Sequence, residues 1–323
     1  MVVWIAAALF VAWTIMRTFG LERGYPLVPL LAYTPYVVVI AAIAAAMTLL
    51  VGRRAAAIVT AACAVALLIQ VAPRAIPEEA PDPAPEGPQL RVLSVNLLTG
   101  DADLGTVAGL IEDLRVDVVS FSELTPRAAQ SVRQGEVGEI LPYSAVDALV
   151  DSSGTGLFSR YPLRPLPAPG TDGTDAPTVV AAVDAPGGSA EVWSIHPPPP
   201  TRPTAVSALA GYLGAIPPAS AEGPPRVLIG DFNASLDNDT LRDVIGQGYT
   251  DAADARGAGL VPTWPGGLWP PPVTIDHVIA DERAAILKYE TAEIPGSDHR
   301  AVFAELRLPG IEPGTFGPLP AED

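Results

Sequence analysis

Arg226-Val227-Leu228-Ile229-Gly230-Asp231-Phe232-Asn233 is the stretch that decides the fold. Alternate residues of an extended chain point to opposite faces, and Val227-Leu228-Ile229 is apolar on both. A strand of that kind belongs at the centre of a sheet covered on both sides. The stretch then ends in Asp-x-Asn, a spacing that puts Asp231 and Asn233 on one face of the strand end. An acid there can activate a water while an amide holds a phosphoryl oxygen.

The same arrangement recurs on either side. The apolar run Leu90–Val95 ends at Asn96, Phe121-Ser122 precedes Glu123, and Ser194-Ile195 leads to His196. Ile275-Asp276-His277 and Ser297-Asp298-His299 complete the set. The chain has only three histidines in 323 residues, and all three sit in these motifs. Glu123 is a hard-oxygen ligand suited to Mg²⁺, with Mn²⁺ the alternative. His299, beside Asp298, is placed to stabilise charge developing on a phosphoryl group, and His196 to protonate a leaving oxygen. The single cysteine, Cys63, lies in an apolar segment, so neither a thiolate zinc site nor a disulfide framework is expected.

Simpler roles compete for some of these residues. A lone Asn such as Asn96 can cap a turn. His277 follows Asp276 directly and so faces the other way on a strand, which makes it structural. Trp264 is either core or site wall. Asp237 and Asp239, with Asp101, Asp103, Asp172 and Asp175, are read as solvated loop acids.

From Gln89 onward, short β-rich runs alternate with Gly, Pro and Asp. Strands are expected at 90–95, 117–121, 156–159, 178–183, 191–195, 226–229, 274–279 and 301–308. Helices are expected at 104–114, with Leu104, Val107, Leu110, Ile111 and Leu114 on one face, and at 204–216. This predicts an α/β (α+β) domain over 89–308, layered helix on sheet on sheet on helix as a four-layer αββα sandwich. Residues 309–323 are read as a disordered tail.

Before residue 73 the chain is almost entirely apolar. Three transmembrane spans are expected, at about 2–19, 27–51 and 55–72, since about 18 or more apolar residues cross the hydrocarbon. Residues 73–88, with Pro at 73, 77, 81, 83, 85 and 88, read as a stiff linker that holds the domain off the bilayer. Lys and Arg are evenly split between the short loops, so they orient the bundle weakly. The Arg53-Arg54 hairpin favours an N-terminus inside the cell and the soluble domain outside it.

The formal net charge is −17, with 19 basic and 36 acidic residues. The first 88 residues hold five of each sign, so the whole excess falls on the soluble part. Such a surface repels polyanions, and Lys288 is the only lysine, so nucleic acid is disfavoured as a partner.

Taken in order, Ser-Val-Asn96, Ser-Glu123, Gly-Leu-Phe-Ser-Arg-Tyr-Pro (156–162), Ile-His196-Pro, Gly-Asp231-Phe-Asn233, Thr263-Trp264, Ile-Asp276-His277 and Ser-Asp298-His299-Arg resemble the endonuclease/exonuclease/phosphatase superfamily. This is the DNase-I-like fold of metal-dependent phosphoesterases. The resemblance implies that Glu123 is the principal Mg²⁺ ligand, with Asn96 beside it and Asp298 assisting metal or water. It implies that Asp231 orients or deprotonates the attacking water and that Asn233 holds the phosphate. His299 would contact the scissile phosphate, held by Asp276, and His196 would match the family's acid histidine. The usual acidic partner of that histidine is missing: Tyr161 stands in its place. The expected function is a membrane-anchored phosphoesterase acting on a lipid headgroup or small phosphorylated substrate. The alternatives are a membrane-anchored nuclease and a non-catalytic interaction domain.

Overall fold

A computed structural model of the chain describes residues 1–79, 86–168, 177–219 and 222–310. Four helices come first: α1 (Val2–Phe19), α2 (Leu27–Leu31), α3 (Thr34–Leu50) and α4 (Arg54–Val71). Strands β1 (Gln89–Asn96) and β2 (Val118–Ser122) flank α5 (Leu104–Asp113). After β2 come α6 (Pro126–Gln134), α7 (Glu136–Ile140), β3 (Tyr143–Asp147), β4 (Thr155–Ser159) and β5 (Leu163–Leu166). The hairpin of β6 (Val179–Ala185) and β7 (Gly188–Ile195) leads through α8 (Pro203–Gly214) to β8 (Arg226–Asp231). The chain closes with α9 (Asp239–Ile245), β9 (Tyr249–Asp251), α10 (Ala252–Ala255), β10 (Asp276–Asp281), β11 (Ala285–Glu293) and β12 (Arg300–Arg307).

The strands form two six-stranded sheets, in the orders β11-β12-β1-β2-β4-β3 and β5-β6-β7-β8-β10-β9. Each sheet centres on one parallel pair, β1 with β2 and β7 with β8, and is antiparallel elsewhere. The two halves therefore repeat one topology in space, although no repeat is visible in the sequence.

Strand alternation builds the layers. Val92, Val227 and Ile229 point into the core between the sheets. Leu93 and Val95 point the other way, onto α5 and α6, and Leu228 points onto α8 and α9. Every central strand is thus apolar on both faces because both faces are covered, and the αββα expectation holds. The strands that sequence patterning missed (β3, β5, β9 and β11) all lie at or near sheet edges, where β3 and β11 carry exposed polar residues.

The second expected span, 27–51, is not one helix. The chain breaks between α2 and α3, where Pro35, in the first turn of α3, has no N–H to donate back to Leu31. Thr34 Oγ1 donates to Leu31 O at 2.6 Å there and accepts from Trp13 Nε1 at 3.1 Å. Two helices, Val2–Phe19 and Arg54–Ala75, are long and apolar enough to cross a membrane, while Thr34–Leu50 is apolar but has 17 residues.

The expected stand-off linker also needs correcting, at least at its start. Ala72–Ala75 is a 3₁₀ turn, Pro77 bridges to Arg256, and Glu78 N donates to Ala255 O at 2.9 Å. The chain after α4 is docked on the domain, not held away from it. Residues 80–85 of that linker, Asp172 and Asp175, and most of the expected tail (311–323) lie outside the described residues.

Asp237, expected in a solvated loop, is buried and fastens the helices to the domain. Arg17 Nε at the end of α1 lies 2.7 Å from its Oδ1, and Arg74 Nη2 lies 2.8 Å from the same oxygen. Arg74 Nη1 donates to Oδ2 at 3.0 Å, and both guanidiniums also reach Leu236 O. Nearby, Asn238 Nδ2 donates to Val28 O at 2.7 Å. Asp237→Ala strands two buried guanidinium groups and should cost about 3 kcal/mol or more. The expected result is a lowered thermal midpoint and faster proteolysis between α4 and β1. An unchanged midpoint would contradict the fastening role.

Candidate active site

Strand register carries the functional side chains to one end of the sandwich. Asn96 ends β1 opposite Ser122, Glu123 follows β2, His196 follows β7 and Asp231 ends β8. Asp276 begins β10 directly opposite Asp231, and His299 immediately precedes β12. The close approach of β7 and β8 needs Gly230, since a Cβ there would strike the Ile195 carbonyl oxygen.

Backbone strain collects at this end. Leu98, Thr99, Glu123 and Asn233 adopt positive φ (45°, 53°, 53° and 49°), a conformation that costs side-chain-bearing residues about 1–3 kcal/mol each. Local hydrogen bonds hold them. Leu98 N donates to Asn96 Oδ1 at 2.9 Å, Thr99 N to Glu123 Oε2 at 3.0 Å, and Asn233 N to Asp231 Oδ1 at 2.8 Å. The left-handed turn at Asn233 means that simple strand alternation does not set its direction. Its amide donates to Pro197 O at 3.0 Å, yet both Asn233 and Asp231 line the cleft.

Asp231 is buried at the centre of the cluster. Asn96 Nδ2 donates to its Oδ2 at 3.2 Å and lies 3.4 Å from Glu123 Oε1, so the turn-capping Asn96 also joins the two carboxylates. His299 Nε2 and His196 Nε2 stand 3.7 and 3.9 Å from Asp231 Oδ2. Burial raises the proton affinity of Asp231 and of Glu123, and each also feels a further negative charge, from Asp276 and Asp231 respectively.

The two site histidines shift in opposite directions. Burial works against the protonated ring of His299, but Asp276, 2.9 Å from Nδ1, and Asp231 outweigh it and hold the ring at about 10. Burial instead lowers His196, more than nearby Asp231 raises it. Its Nδ1 has no hydrogen-bond partner among the described residues. Its Nε2 faces the Asp231 carboxyl at 3.9 Å, beyond hydrogen-bonding distance. Tyr161, which stands where an acidic partner was expected, turns toward Asp117, and burial with that carboxylate pushes its hydroxyl up.

Trp264 is a site wall. It is half-buried, lies 6.3 Å from the His299 ring centroid to centroid, and donates from Nε1 to Asp298 Oδ2 at 3.0 Å. Asp298 Oδ1 is buried and unpartnered among the described residues. Sequence reading missed Thr263, whose Oγ1 accepts from Ile275 N and Asp276 N, and Ser297, whose Oγ donates to Asn96 O at 2.7 Å. Thr263 stood in a quoted motif, but nothing in its spacing marked it as the group that shapes the Asp276 turn. The cleft holds about 280 Å³, and none of the described residues lining it is Lys or Arg.

The sequence model of the endonuclease/exonuclease/phosphatase family matches residues 93–299. The chain belongs to that family. Like the family's other members, it is a metal-dependent hydrolase of phosphoric ester bonds. Among curated proteins none matches it significantly. Solved structures share its fold at low identity. An endonuclease/exonuclease/phosphatase from Beutenbergia cavernae is 20% identical (TM-score 0.51), covering 68% of this chain and 72% of that one. The 3′ phosphatase NExo from Neisseria, bound to a product DNA hairpin, is 15% identical (TM-score 0.52), covering 67% and 98%. Truncated TDP2 of Caenorhabditis elegans is 13% identical (TM-score 0.51), covering 68% and 98%.

His277 is structural, as its position beside Asp276 implied. Its Nδ1 lies 2.7 Å from Asp251 Oδ2 and its Nε2 3.1 Å from Ala234 O. Both partners accept, so both ring nitrogens carry hydrogen and the ring is charged. Burial opposes that charge, but Asp251 outweighs it and raises the ring above its ordinary value. The folded value exceeds the unfolded one of about 6.5. The pair's contribution is therefore complete below that pH and is lost as pH rises toward the folded value. His277→Gln should lower the thermal midpoint most at pH 6 and less at pH 9. A gap that widens with pH would contradict the charged pair.

Proposed function

We propose that the protein is a membrane-anchored, Mg²⁺-dependent phosphoesterase in which water attacks a phosphodiester or phosphomonoester. The observation that carries the reading is the buried Asp231 carboxylate, set between Asn96 and the charged His299 and opening on the same cleft as Glu123.

The donor set fits a hard divalent cation. Glu123 and Asp231, the two carboxyls that open on the cleft beside each other, are linked through Asn96 Nδ2, and no thiolate lines the site among the described residues. The ligand atoms of Asp231, Asp276 and His299 lie within 4.8 Å of one another. That trio is better described as a hydrogen-bonded relay, because a His299 ring that donates to Asp276 and stays charged has no lone pair for a metal. Glu123 would be the principal ligand, with Asn96 ordering it and Asp298 assisting metal or water. The cation, Mg²⁺ or Mn²⁺, supplies charge neutralisation on the phosphoryl oxygens and a more acidic water.

The protein's own groups do the rest. Asp231, whose proton affinity burial raises, orients the attacking water and takes its proton. The charged His299, aimed by Asp276, donates from Nε2 to a phosphoryl oxygen as negative charge grows. His196 gives a proton to the leaving oxygen, and Asn233 holds the phosphate.

The membrane reading rests on the helices. Arg17 and Arg74 are spent on Asp237 at the domain end, whereas the Arg53-Arg54 turn lies at the opposite end of α3 and α4. A retained Arg pair there puts the N-terminus inside the cell and the catalytic domain outside. The lack of Lys and Arg among the described residues of the cleft disfavours a nuclease, whose backbone contacts rest on such residues.

The test is hydrolysis of bis(p-nitrophenyl) phosphate and p-nitrophenyl phosphate by the full chain in nanodiscs, with Mg²⁺ and with EDTA. Turnover should need the cation and vanish in Glu123→Gln and Asp231→Asn. His299→Ala should lose about 10²-fold or more in kcat. Wild-type rates in Glu123→Gln, or rates indifferent to EDTA, would refute the metal-dependent assignment, and no turnover of either ester by the folded chain would favour a non-catalytic domain.

A further inference from the structure

The N-terminal helices contribute directly to the cleft. Pro29, Ala32 and Tyr33, at the corner where α2 breaks into α3, line it together with Glu123, Asp231 and His299. The family match begins at residue 93, so this wall is an addition outside the matched region. It sits firmly in place: Tyr36 Oη donates to Pro272 O at 2.7 Å, and Asn238, another cleft residue, donates to Val28 O.

A second cavity of about 240 Å³ continues along the same corner. Ala32 and Val273 line both cavities. The second runs past Pro35 and Leu260 to Val39, an exposed apolar residue on the flank of α3, while the paired Arg74 and Asp237, with Ser235 and Thr274, line the rest of it. Beyond Val39, the α3 surface is Ile40, Ile43 and Met47, all exposed. On the domain side of the corner, the loop 266–272 carries Leu268 and Trp269, exposed at 91% and 84%. A water-soluble phosphorylated substrate needs neither an apolar track nor large exposed apolar side chains beside its site.

We infer that this corner is a subsite for the apolar chain of a lipid phosphate ester, whose phosphate enters the cleft at Glu123 and His299. The inference rests on the phosphoesterase reading. The substrate's tail lies along Ala32 and Tyr33 toward Val39, where α3 meets the hydrocarbon, so the lipid needs only to rise partway from the bilayer. An acidic cleft wall without Lys or Arg fits a substrate with one phosphate group better than a polyanion.

Monoalkyl phosphates test this, with the full chain in nanodiscs and Mg²⁺ present. Ethyl, butyl and octyl phosphate compete against p-nitrophenyl phosphate or bis(p-nitrophenyl) phosphate hydrolysis, and their binding is read in parallel by tryptophan fluorescence. A fully buried methylene is worth about fourfold in affinity. With a partly buried tail, octyl phosphate should bind at least about tenfold more tightly than ethyl phosphate. Ala32→Glu, which places a charge in the track, should bring that ratio below about threefold, and Tyr33→Ser should lower it as well. Partition of the probe into the disc is the same for every variant, so the change in ratio reports the subsite. A ratio near one in the wild type, or one unchanged in both variants, overturns the inference. Hydrolysis with a flat ratio removes the lipid subsite and leaves the phosphoesterase standing. A steep, variant-sensitive ratio in fluorescence without hydrolysis supports the subsite and removes the catalytic reading.

Discussion

The buried contact of Arg17 and Arg74 with the single carboxylate of Asp237 governs how the molecule is put together. A charge taken out of water must be met closely or it destabilises the fold. Two cations meeting one anion cannot drift apart without exposing one of them to an apolar surround. The ends of α1 and α4 are therefore held at a fixed place on the domain, at the loop that follows the Asp231–Asn233 turn. Because of that placement, the α2–α3 corner becomes a wall of the cleft and not a remote anchor.

The second constraint is the covering of both sheets on both faces. Val92, Leu93, Val227, Leu228 and Ile229 leave no room for polar groups along the central strands. The chemistry is consequently pushed to the strand ends, where one register places Asp276 against Asp231 and a parallel pair places Asn96 beside Ser122 and Glu123. The cost appears as positive φ at Leu98, Thr99, Glu123 and Asn233, each repaid by a hydrogen bond to a neighbouring functional group or turn. Strain and function coincide because the side chains must turn out of a strand within one or two residues.

Much of this was legible in the sequence. Asn96, Glu123, His196, Asp231, Asn233, Asp276 and His299 each end or start an apolar run, and a run that stops at a polar residue marks a strand end. The two-sided apolar pattern of Val227–Ile229 was enough to imply covered sheets. What stayed hidden depends on distant partners. Asp237 looked like a loop acid because its cations lie 220 and 163 residues away. The lowered proton affinity of His196 comes from burial by segments distant in sequence. Edge strands such as β3 and β11 carry too many exposed polar residues to show a strand period. The break at Ala32 and Tyr33 was masked by an unbroken apolar composition, since hydropathy averages over the prolines that interrupt hydrogen bonding.

The central claim is that water, activated at Asp231, attacks phosphorus with the help of a divalent cation. Its most direct measurement is hydrolysis of bis(p-nitrophenyl) phosphate in ¹⁸O-enriched water, with Mg²⁺, followed by mass spectrometry of both products. The account predicts one ¹⁸O atom in the p-nitrophenyl phosphate released and none in the p-nitrophenol. Label in the p-nitrophenol, or the same labelling without a divalent cation, would contradict it.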